Sequence, residues 1–244
     1  MSINNKKNIL ITGSSQGIGL VIAKHLVSEY NVYITGRYSE KLEKLCHESN
    51  FKGFYAVDLS KPNGAEELYL NLGIDIDILI NNAGNYIYSP VEQLKSKDII
   101  PSVILNSVSP FELIKYVVPH MKNKNWGRII NIGSISGVMG EANASLYSMT
   151  KASLIGITKS LALELAQNGI TVNIINPGWV DTELINNENL EQDFTRNEII
   201  ETIPQRRFVT PVEIADACKY LISDNAKSIT GQSINICAGL SLGF

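Results

Sequence analysis

Hydrophobic residues fall into short continuous runs, separated by longer stretches in which apolar residues recur every three or four positions. The continuous runs are typical of parallel strands covered on both faces, and the stretches between them have the spacing of amphipathic helices. This alternation predicts an α/β fold: a single-domain Rossmann fold over residues 1–244, with a doubly wound parallel sheet of about seven strands and helices on both faces. The predicted strands are "NILIT" (8–12), "NVYIT" (31–35), "GFYAV" (53–57), "IDILI" (76–80), "RIINI" (128–132), "TVNII" (171–175) and "SINIC" (233–237).

One connection is longer and more polar than the others. It runs over 178–210, between the sixth predicted strand and the helical pattern that precedes the seventh. Connections of this length in a compact domain are usually functional lids or disordered segments. We therefore predict a substrate lid at about 179–210.

Composition narrows the function classes. The 244 residues carry a formal net charge of −3, and 44% of them are hydrophobic. A mildly acidic chain lacks the basic footprint of a nucleic-acid-binding protein. The three cysteines and three histidines are scattered, so we predict no metal site and no disulfide framework. No apolar run approaches the ~20 residues of a membrane span, and the first residues do not form a signal sequence. We expect a cytoplasmic protein with no membrane partner.

A glycine-rich loop, "TGSSQGIG" (12–19), follows the first predicted strand directly and opens the first predicted helix. Gly13 allows the sharp turn, Gly17 lets the backbone approach a ligand closely, and Gly19 lets the helix pack tightly on the strand. The helix N-terminus then presents free N–H groups and a positive dipole end to a phosphate. The loop therefore predicts a dinucleotide site.

The residues after the second and third strands bear on which dinucleotide binds. A carboxylate near the end of the second strand favours NAD, whereas a cation favours the 2′-phosphate of NADP. The chain has Arg37 at this point and no acidic residue between Val32 and Ser39. We therefore predict NADP(H), with NAD(H) as the alternative. Asp58, after the third strand, is a candidate acceptor for the adenine amine or an ordinary loop residue.

Polar motifs end three further strands. "NNAG" (81–84) follows the fourth strand, "NIGS" (131–134) ends the fifth and "NPG" (176–178) ends the sixth. Ligands of open parallel sheets bind beyond the carboxyl ends of the strands, so these motifs converge on one crevice. "YSMTK" (147–151) begins the next helix beside it, and its tyrosine and lysine lie on one helix face because they are four residues apart.

Together these motifs resemble the short-chain dehydrogenase/reductase family over nearly the whole chain, and most closely its 3-oxoacyl-[acyl-carrier-protein] reductase branch. The resemblance implies a catalytic set of Asn106, Ser134, Tyr147 and Lys151. It implies cofactor contacts from Gly13, Ser14, Ser15, Gly17, Ile18, Gly19, Arg37, Asp58, Asn82, Ala83, Gly84, Tyr147, Lys151, Pro177, Gly178 and Thr182.

These residue types suit hydride transfer to a carbonyl. Negative charge builds on the carbonyl oxygen, so donors held at that oxygen lower the barrier. Ser134 would hold the carbonyl, with Ser136 as a rival for this role, and Tyr147 would give the proton. Lys151 is expected to lower the pKa of Tyr147 and, by family analogy, to bond the nicotinamide ribose. Asn106 would hold a water that resupplies protons, unless it is only a locally satisfied helix residue.

The expected substrate is a small ketone or keto-thioester. Arg128 is a candidate for docking a carrier protein beside the site entrance, but Asn168 stands where a second base is common, which leaves docking open. Oxidation of a secondary alcohol and a non-catalytic dinucleotide sensor are the alternative functions. A substrate wall is predicted, from side chains that equally suit loop packing, at Tyr86, Ile87, Tyr88, Val138, Met139, Trp179, Leu184 and Phe194.

Assembly is suggested by the helix that starts with "YSMTK". The stretch "SLYSMTKASLIGITKSLALELA" is apolar on nearly all sides. Such a helix is buried on more than one face, so one face would cover the sheet and another would meet a partner chain. We predict a homodimer or homotetramer.

Overall fold

A computed structural model of the chain describes residues 6–182 and 195–242. The strands are β1 (Asn8–Ile11), β2 (Asn31–Gly36), β3 (Gly53–Ala56), β4 (Ile78–Asn81), β5 (Gly127–Ile132), β6 (Ile170–Pro177) and β7 (Ser233–Ile236). The helices are α1 (Gly17–Leu26), α2 (Ser39–Ser49), α3 (Gly64–Leu72), α4 (Ser96–Val103), α5 (Ser109–Lys124), α6 (Ser136–Met139), α7 (Ser145–Leu165), α8 (Arg196–Thr202) and α9 (Pro211–Ile222).

The seven strands form one parallel sheet in the order β3-β2-β1-β4-β5-β6-β7. The chain winds outward from β1 in one direction and then returns to build the other half from β4. The predicted Rossmann fold is confirmed. Because all strands are parallel, their carboxyl ends share one edge of the sheet, and ligands of such sheets bind in the crevice where the strand order reverses.

The core explains why the strand sequences are continuously apolar. Along β1, Ile9 and Ile11 face one hydrophobic cluster, with α1 and α9, while Leu10 faces the other, with α3, α5 and α7. All three side chains are fully buried. Both faces of the sheet are therefore covered by helices, so alternate residues of a strand are equally apolar.

A π-helical turn at Ile104–Val108 joins α4 to α5. Pro110 follows it and has no backbone N–H to offer the carbonyl of Asn106 four residues earlier. A wider turn at this point is the expected response of a helix. The turn buries Asn106 completely, against α7.

The described part of the predicted lid is more ordered than its polar sequence suggested. Helix α8 begins at a capping box between Thr195 and Glu198. Ile199, Ile203 and Phe208 are buried in the core. This part of the segment therefore forms a helix that packs against the core. Its role as a lid stays a prediction. Leu184 and Phe194, two predicted wall residues, lie outside the described residues.

Two structural features are absent from the described ranges. Among helices in 6–182 and 195–242, none has the length and apolar character needed to cross a bilayer. The same ranges contain no cluster of histidine, cysteine and carboxylate side chains that could hold a metal ion.

Candidate active site

The glycine loop packs directly on the "NNAG" turn. A Cβ added to Gly13 would lie 2.7 Å from Cα of Ala83, and one added to Gly19 would lie 2.4 Å from Nδ2 of Asn82. Gly13 also has φ = 62°, a conformation that side-chain-bearing residues rarely adopt. Glycine is required at both positions because the two turns touch.

Polar residues of these turns form hydrogen bonds within the protein, and two of them join the turns. Thr12 Oγ1 accepts the backbone N–H groups of Asn82 and Ala83, each at 3.0 Å. The Asn82 side chain donates to the carbonyls of Thr12 and Gly13 at 3.0 and 3.1 Å. Ser14 is buried and donates its hydroxyl to Ile11 O at 2.7 Å. The polar groups of Asn82 and Ser14, predicted to contact the cofactor, are thus used within the protein to shape its cradle.

The start of α1 suits a diphosphate. Helix α1 begins at Gly17 with no side-chain cap and no acidic residue in its first turn, so its first N–H groups keep their capacity for an anion. A Cβ added to Gly17 would meet nothing within 4 Å, which marks open space at this point. Ser15 and Ile18 are partly exposed beside it. The loop therefore fits the phosphates of a dinucleotide.

Basic side chains lie where the second strand ends. Arg37 is exposed directly after β2, with its guanidinium 5.7 Å from the ring centre of Tyr38. Lys41, in the first turn of α2, donates to Gln16 Oε1 of the glycine loop at 3.1 Å. The sequence reasoning missed Lys41, although its spacing of four residues from Arg37 was a usable signal.

Asp58 forms a local turn after β3. Its carboxylate accepts the Ser60 hydroxyl at 2.6 Å and the Ser60 backbone N–H at 3.0 Å. The Ser60 hydroxyl and the nearby Arg37 both lower the pKa of Asp58. The carboxylate is partly exposed, and its predicted contact with the adenine stays a prediction.

The predicted catalytic hydroxyl, phenol and amine come together at the carboxyl edge of the sheet. Ser134 follows β5, and Tyr147 and Lys151 lie on the first turns of α7. Ser134 and Lys151 are buried, and Tyr147 is half-buried. Lys151 Nζ lies 5.8 Å from the ring centre of Tyr147 and donates to Ile132 O at 2.8 Å.

Asn106 and Lys151 meet around Gly84. A Cβ added to Gly84 would lie 3.1 Å from Asn106 Oδ1 and 3.4 Å from Lys151 Nζ. The Asn106 side chain accepts the N–H of Asn85 at 2.9 Å and donates to Asn85 O and Thr150 Oγ1 at 3.0 and 3.1 Å. These bonds fit the locally satisfied alternative for the side chain, and its water-holding role stays a prediction.

The electrostatics of Tyr147 differ from the expectation. Burial raises the pKa of the phenol to about 12; a hydrogen bond with Ser134 acts downward and the charge of Glu141 acts upward. Burial also lowers the pKa of Lys151 to about 8. The predicted lowering of this pKa by Lys151 is therefore not seen, and the lysine amine donates to the Ile132 carbonyl instead. In this structure the phenol is a protonated group at neutral pH.

Glu141 is a site residue that sequence reasoning missed. Ser136 Oγ donates to Glu141 Oε2 at 2.6 Å, and the Tyr86 hydroxyl donates to Oε1 at 2.7 Å. The Tyr86 ring packs edge-to-face on Tyr147, with ring centres 5.0 Å apart. In the sequence Glu141 resembles a solvated loop residue after a glycine, and no periodicity marks it.

The same contacts separate the two candidate serines. Ser134 Oγ donates to Ser136 Oγ at 3.0 Å, and Ser136 Oγ donates in turn to Glu141. Ser134 is also the serine that is hydrogen-bonded to Tyr147. The contact with Tyr147 agrees with Ser134 as the carbonyl donor, and this role stays a prediction.

The "NPG" motif closes the same edge. The Pro177 carbonyl accepts the N–H of Ile135 at 3.0 Å, which ties the end of β6 to the loop that carries Ser134. A Cβ added to Gly178 would lie 2.8 Å from Cβ of Cys237, so glycine lets the chain pass β7. Thr182 is partly buried at the end of the described segment.

Arg128 does not lie beside the site entrance, and the docking expectation for it is wrong. It stands near the amino end of β5, at the opposite edge of the sheet, and is 2% exposed. Its guanidinium donates to Gly127 O and Gly169 O at 2.8 and 3.2 Å, and pairs with Asp224 at 3.2 Å. The side chain is a structural cation.

A parallel sheet with a glycine loop after its first strand defines a dinucleotide-binding α/β protein, and the tyrosine–lysine pair narrows the class further. A sequence model of the short chain dehydrogenase family matches residues 7–193. This protein belongs to the short-chain dehydrogenase/reductase family, in the branch that resembles 3-oxoacyl-[acyl-carrier-protein] reductase, and is an oxidoreductase.

Similar proteins span nearly all of this chain. The 3-oxoacyl-[acyl-carrier-protein] reductase of Staphylococcus epidermidis is 36% identical, over 96% of this chain and 98% of its own. The D-beta-hydroxybutyrate dehydrogenase of Cupriavidus necator is 33% identical, over 96% and 98%. A crystal structure of an actinorhodin polyketide ketoreductase variant with NADPH has a TM-score of 0.89 at 31% identity, over 99% of both chains. These relatives and the loop geometry support a nicotinamide dinucleotide as the cofactor.

Proposed function

We propose that the protein is an NADP(H)-dependent ketoreductase. It would transfer a hydride between the nicotinamide and a substrate carbonyl or secondary alcohol, on a small ketone or a keto-thioester. The observation that carries the proposal is the group Ser134, Tyr147 and Lys151 at the edge of the sheet where the glycine loop opens.

The chemistry assigned to the chain follows from this geometry. The bound nicotinamide supplies the hydride. Ser134 would donate a hydrogen bond to the carbonyl oxygen, and Tyr147 would transfer its phenolic proton to that oxygen as charge develops. Because burial raises the pKa of Tyr147 to about 12, the phenol would carry the proton that a reduced carbonyl needs at neutral pH. Lys151 would hold the cofactor ribose.

Substitution of Tyr147 by phenylalanine tests the proposed acid. The Tyr147→Phe variant keeps the ring that packs on Tyr86 but has no proton to give, so we expect turnover to fall by about 10²–10⁴-fold. Steady-state rates on a panel of ketones and keto-thioesters with NADPH measure the effect. Tyr116→Phe is the control, because its ring stacks on Tyr69 and lies outside the site. Equal turnover by wild type and Tyr147→Phe would remove the phenol from the mechanism.

The preference for NADP(H) rests on Arg37 and Lys41. Two cations flank the glycine loop at the end of β2, and a cation there suits a 2′-phosphate. We expect kcat/KM for NADPH to exceed that for NADH by at least about tenfold. A preference for NADH on the same substrate would contradict this part of the proposal.

The non-catalytic sensor is the other function considered. A sensor needs the dinucleotide cradle but has no use for a buried lysine beside a half-buried phenol, and burying the lysine costs folding free energy. The chain keeps Asn106, Ser134, Tyr147 and Lys151 together, which supports catalysis. Tight NADPH binding with no turnover on the whole panel would favour the sensor.

A homodimer or homotetramer is proposed from the surface of α5 and α7. A groove between the two helices is mostly apolar and includes Phe111, Val118 and Ile157. Gly156 lies exposed in it, and a Cβ there would meet nothing within 4 Å, which leaves room for a partner helix. Sedimentation equilibrium at micromolar protein tests the proposal, and a monomer would refute it.

A further inference from the structure

Glu141 brings a negative charge to the candidate site. Helix α6 ends at Met139, and the next residue, Gly140, has φ = 80°, a conformation that suits glycine and turns the chain towards Glu141. Both carboxylate oxygens accept short hydrogen bonds, from Ser136 and Tyr86. Over the residues that the structure describes, no lysine or arginine pairs with Glu141. Its charge is therefore held by neutral hydroxyls and not cancelled.

The carboxylate lies beside the reacting groups on two sides. Through Ser136 it is two hydrogen bonds, of 2.6 and 3.0 Å, from Ser134 Oγ, where the substrate carbonyl would bind. Through Tyr86 it holds the ring that packs on Tyr147. Its charge is also among the causes that raise the pKa of Tyr147. A group attached to the carbonyl carbon of a bound substrate would therefore lie near the negative charge of Glu141.

Two of the acceptor positions of the carboxylate remain for a ligand. A carboxylate offers about four lone-pair sites, and the protein occupies two of them. A substrate hydroxyl or ammonium next to the carbonyl could fill a remaining site, whereas a substrate carboxylate would meet a like charge in a half-buried environment, where screening is weak.

We propose that Glu141 is a specificity-determining residue that selects carbonyl compounds whose group beside the carbonyl is neutral or a hydrogen-bond donor, and rejects carboxylates. This inference rests on the proposed ketoreductase function and names its substrate class. It also gives Glu141 a positioning role, because its two hydrogen bonds direct the hydroxyls of Ser136 and Tyr86.

A matched pair of substrates tests the inference. The anion 3-oxobutanoate and its ethyl ester share the ketone and differ in the charge beside it. We expect wild-type kcat/KM to favour the ester by at least about tenfold, because like charges a few ångströms apart repel strongly in such a site. Glu141→Gln keeps the shape of the side chain and removes the charge, so the preference should shrink by about tenfold or more through faster reduction of the anion.

Glu66→Gln is the control variant, because it removes one negative charge from an exposed position on α3. It should leave the ratio of ester to anion unchanged, and so separates the local effect from that of net charge. A purely structural role for Glu141 would lower both rates equally. An unchanged ratio in Glu141→Gln overturns the inference.

Failure of the proposed function would be recognised separately. If wild type with bound cofactor reduces neither compound, calorimetric titration of both into the enzyme–cofactor complex tests Glu141 alone. Tighter binding of the ester, with the difference lost in Glu141→Gln, supports the inference. Equal affinity, or binding of neither compound, overturns it.

Discussion

The two edges of the sheet each bury one cation, and they treat it differently. At the amino edge, Arg128 is 2% exposed and has two carbonyl partners, one carboxylate partner and the Trp126 ring at 4.4 Å. At the carboxyl edge, Lys151 is 5% exposed and donates to one carbonyl, Ile132 O. No carboxylate among the described residues pairs with it.

This difference distinguishes a structural charge from a functional one. Burying a cation is costly unless other groups replace its water. Burial lowers the pKa of Arg128 as well, but several partners offset part of that cost, so the charge can serve stability. Lys151 has one hydrogen-bond partner among the described residues, and burial lowers its pKa to about 8. A protein retains such a group where it has chemistry to perform.

The largest effect should come from replacing Lys151. Lys151→Met keeps a similar length without the amine, so we expect kcat/KM to fall by about 10³-fold if the lysine holds the cofactor ribose beside the phenol. Ketone reduction with NADPH measures the loss. Lys159→Met, an exposed lysine two turns further along α7, should leave the rate unchanged. A Lys151→Met enzyme with near wild-type rates would show that Lys151 is not a functional cation.

Replacing Arg128 should affect stability rather than catalysis. In Arg128→Met the carbonyls of Gly127 and Gly169 lose their donor, and we expect unfolding to become easier by about 3–5 kcal/mol. Thermal unfolding should then shift down by roughly 6–15 °C, while the rate per folded molecule is retained. Asp224→Asn, which changes only the exposed partner of the pair, should cost far less. Loss of activity without loss of stability would argue against a structural role.

The pH dependence of stability offers a third test. The pKa of Lys151 is about 8 in the folded protein against 10.5 ordinarily. Between pH 8 and pH 10.5 the lysine is therefore protonated in the unfolded chain and mostly neutral in the folded protein. Stability due to this group therefore rises with pH across that window, by up to about 3 kcal/mol. We expect Lys151→Met to be the more stable protein at pH 7, and its advantage to shrink towards pH 10. Denaturant titrations of both proteins measure the gap, and a gap independent of pH contradicts the assignment.

The smallest effect should come from an exposed ion pair. Glu213 bonds the Arg207 guanidinium with both oxygens, at 2.8 and 2.9 Å, and accepts the backbone N–H of Thr210 at the start of α9. The hydrogen bond with Arg207 is the main reason that the pKa of Glu213 falls to about 2. Since the side chain is 36% exposed, solvent screening leaves only about 1 kcal/mol.

That contribution has a defined pH window. A carboxyl with a lowered pKa stabilises the fold above its ordinary value of 4.5, and the contribution disappears as pH falls from there towards 2. Glu213→Gln should therefore match wild type at pH 2 and be less stable at pH 7, as measured by thermal unfolding. A loss at pH 7 as large as that of Arg128→Met would erase the distinction between buried and exposed cations.

Local patterns in the sequence predicted much of this protein. The continuous apolar runs identify the seven strands, because each strand of a covered parallel sheet is apolar on both faces. The glycine spacing of 12–19 predicts the turn between β1 and α1, and the four-residue spacing of Tyr147 and Lys151 places them on one face of α7. Each of these features depends on residues that are close in sequence, and the backbone geometry of the helix or strand alone decides which of them share a face.

Only the tertiary structure decided which side chains face the site. Ser14 and Asn82 are directed into the fold, Arg128 lies at the far edge of the sheet, and Glu141 reaches the catalytic hydroxyls through Ser136. The tertiary structure also decided that the pKa of Tyr147 is raised, because desolvation depends on everything packed around the phenol. Burial and partner choice are set by residues distant in sequence, and periodicity carries no information about them.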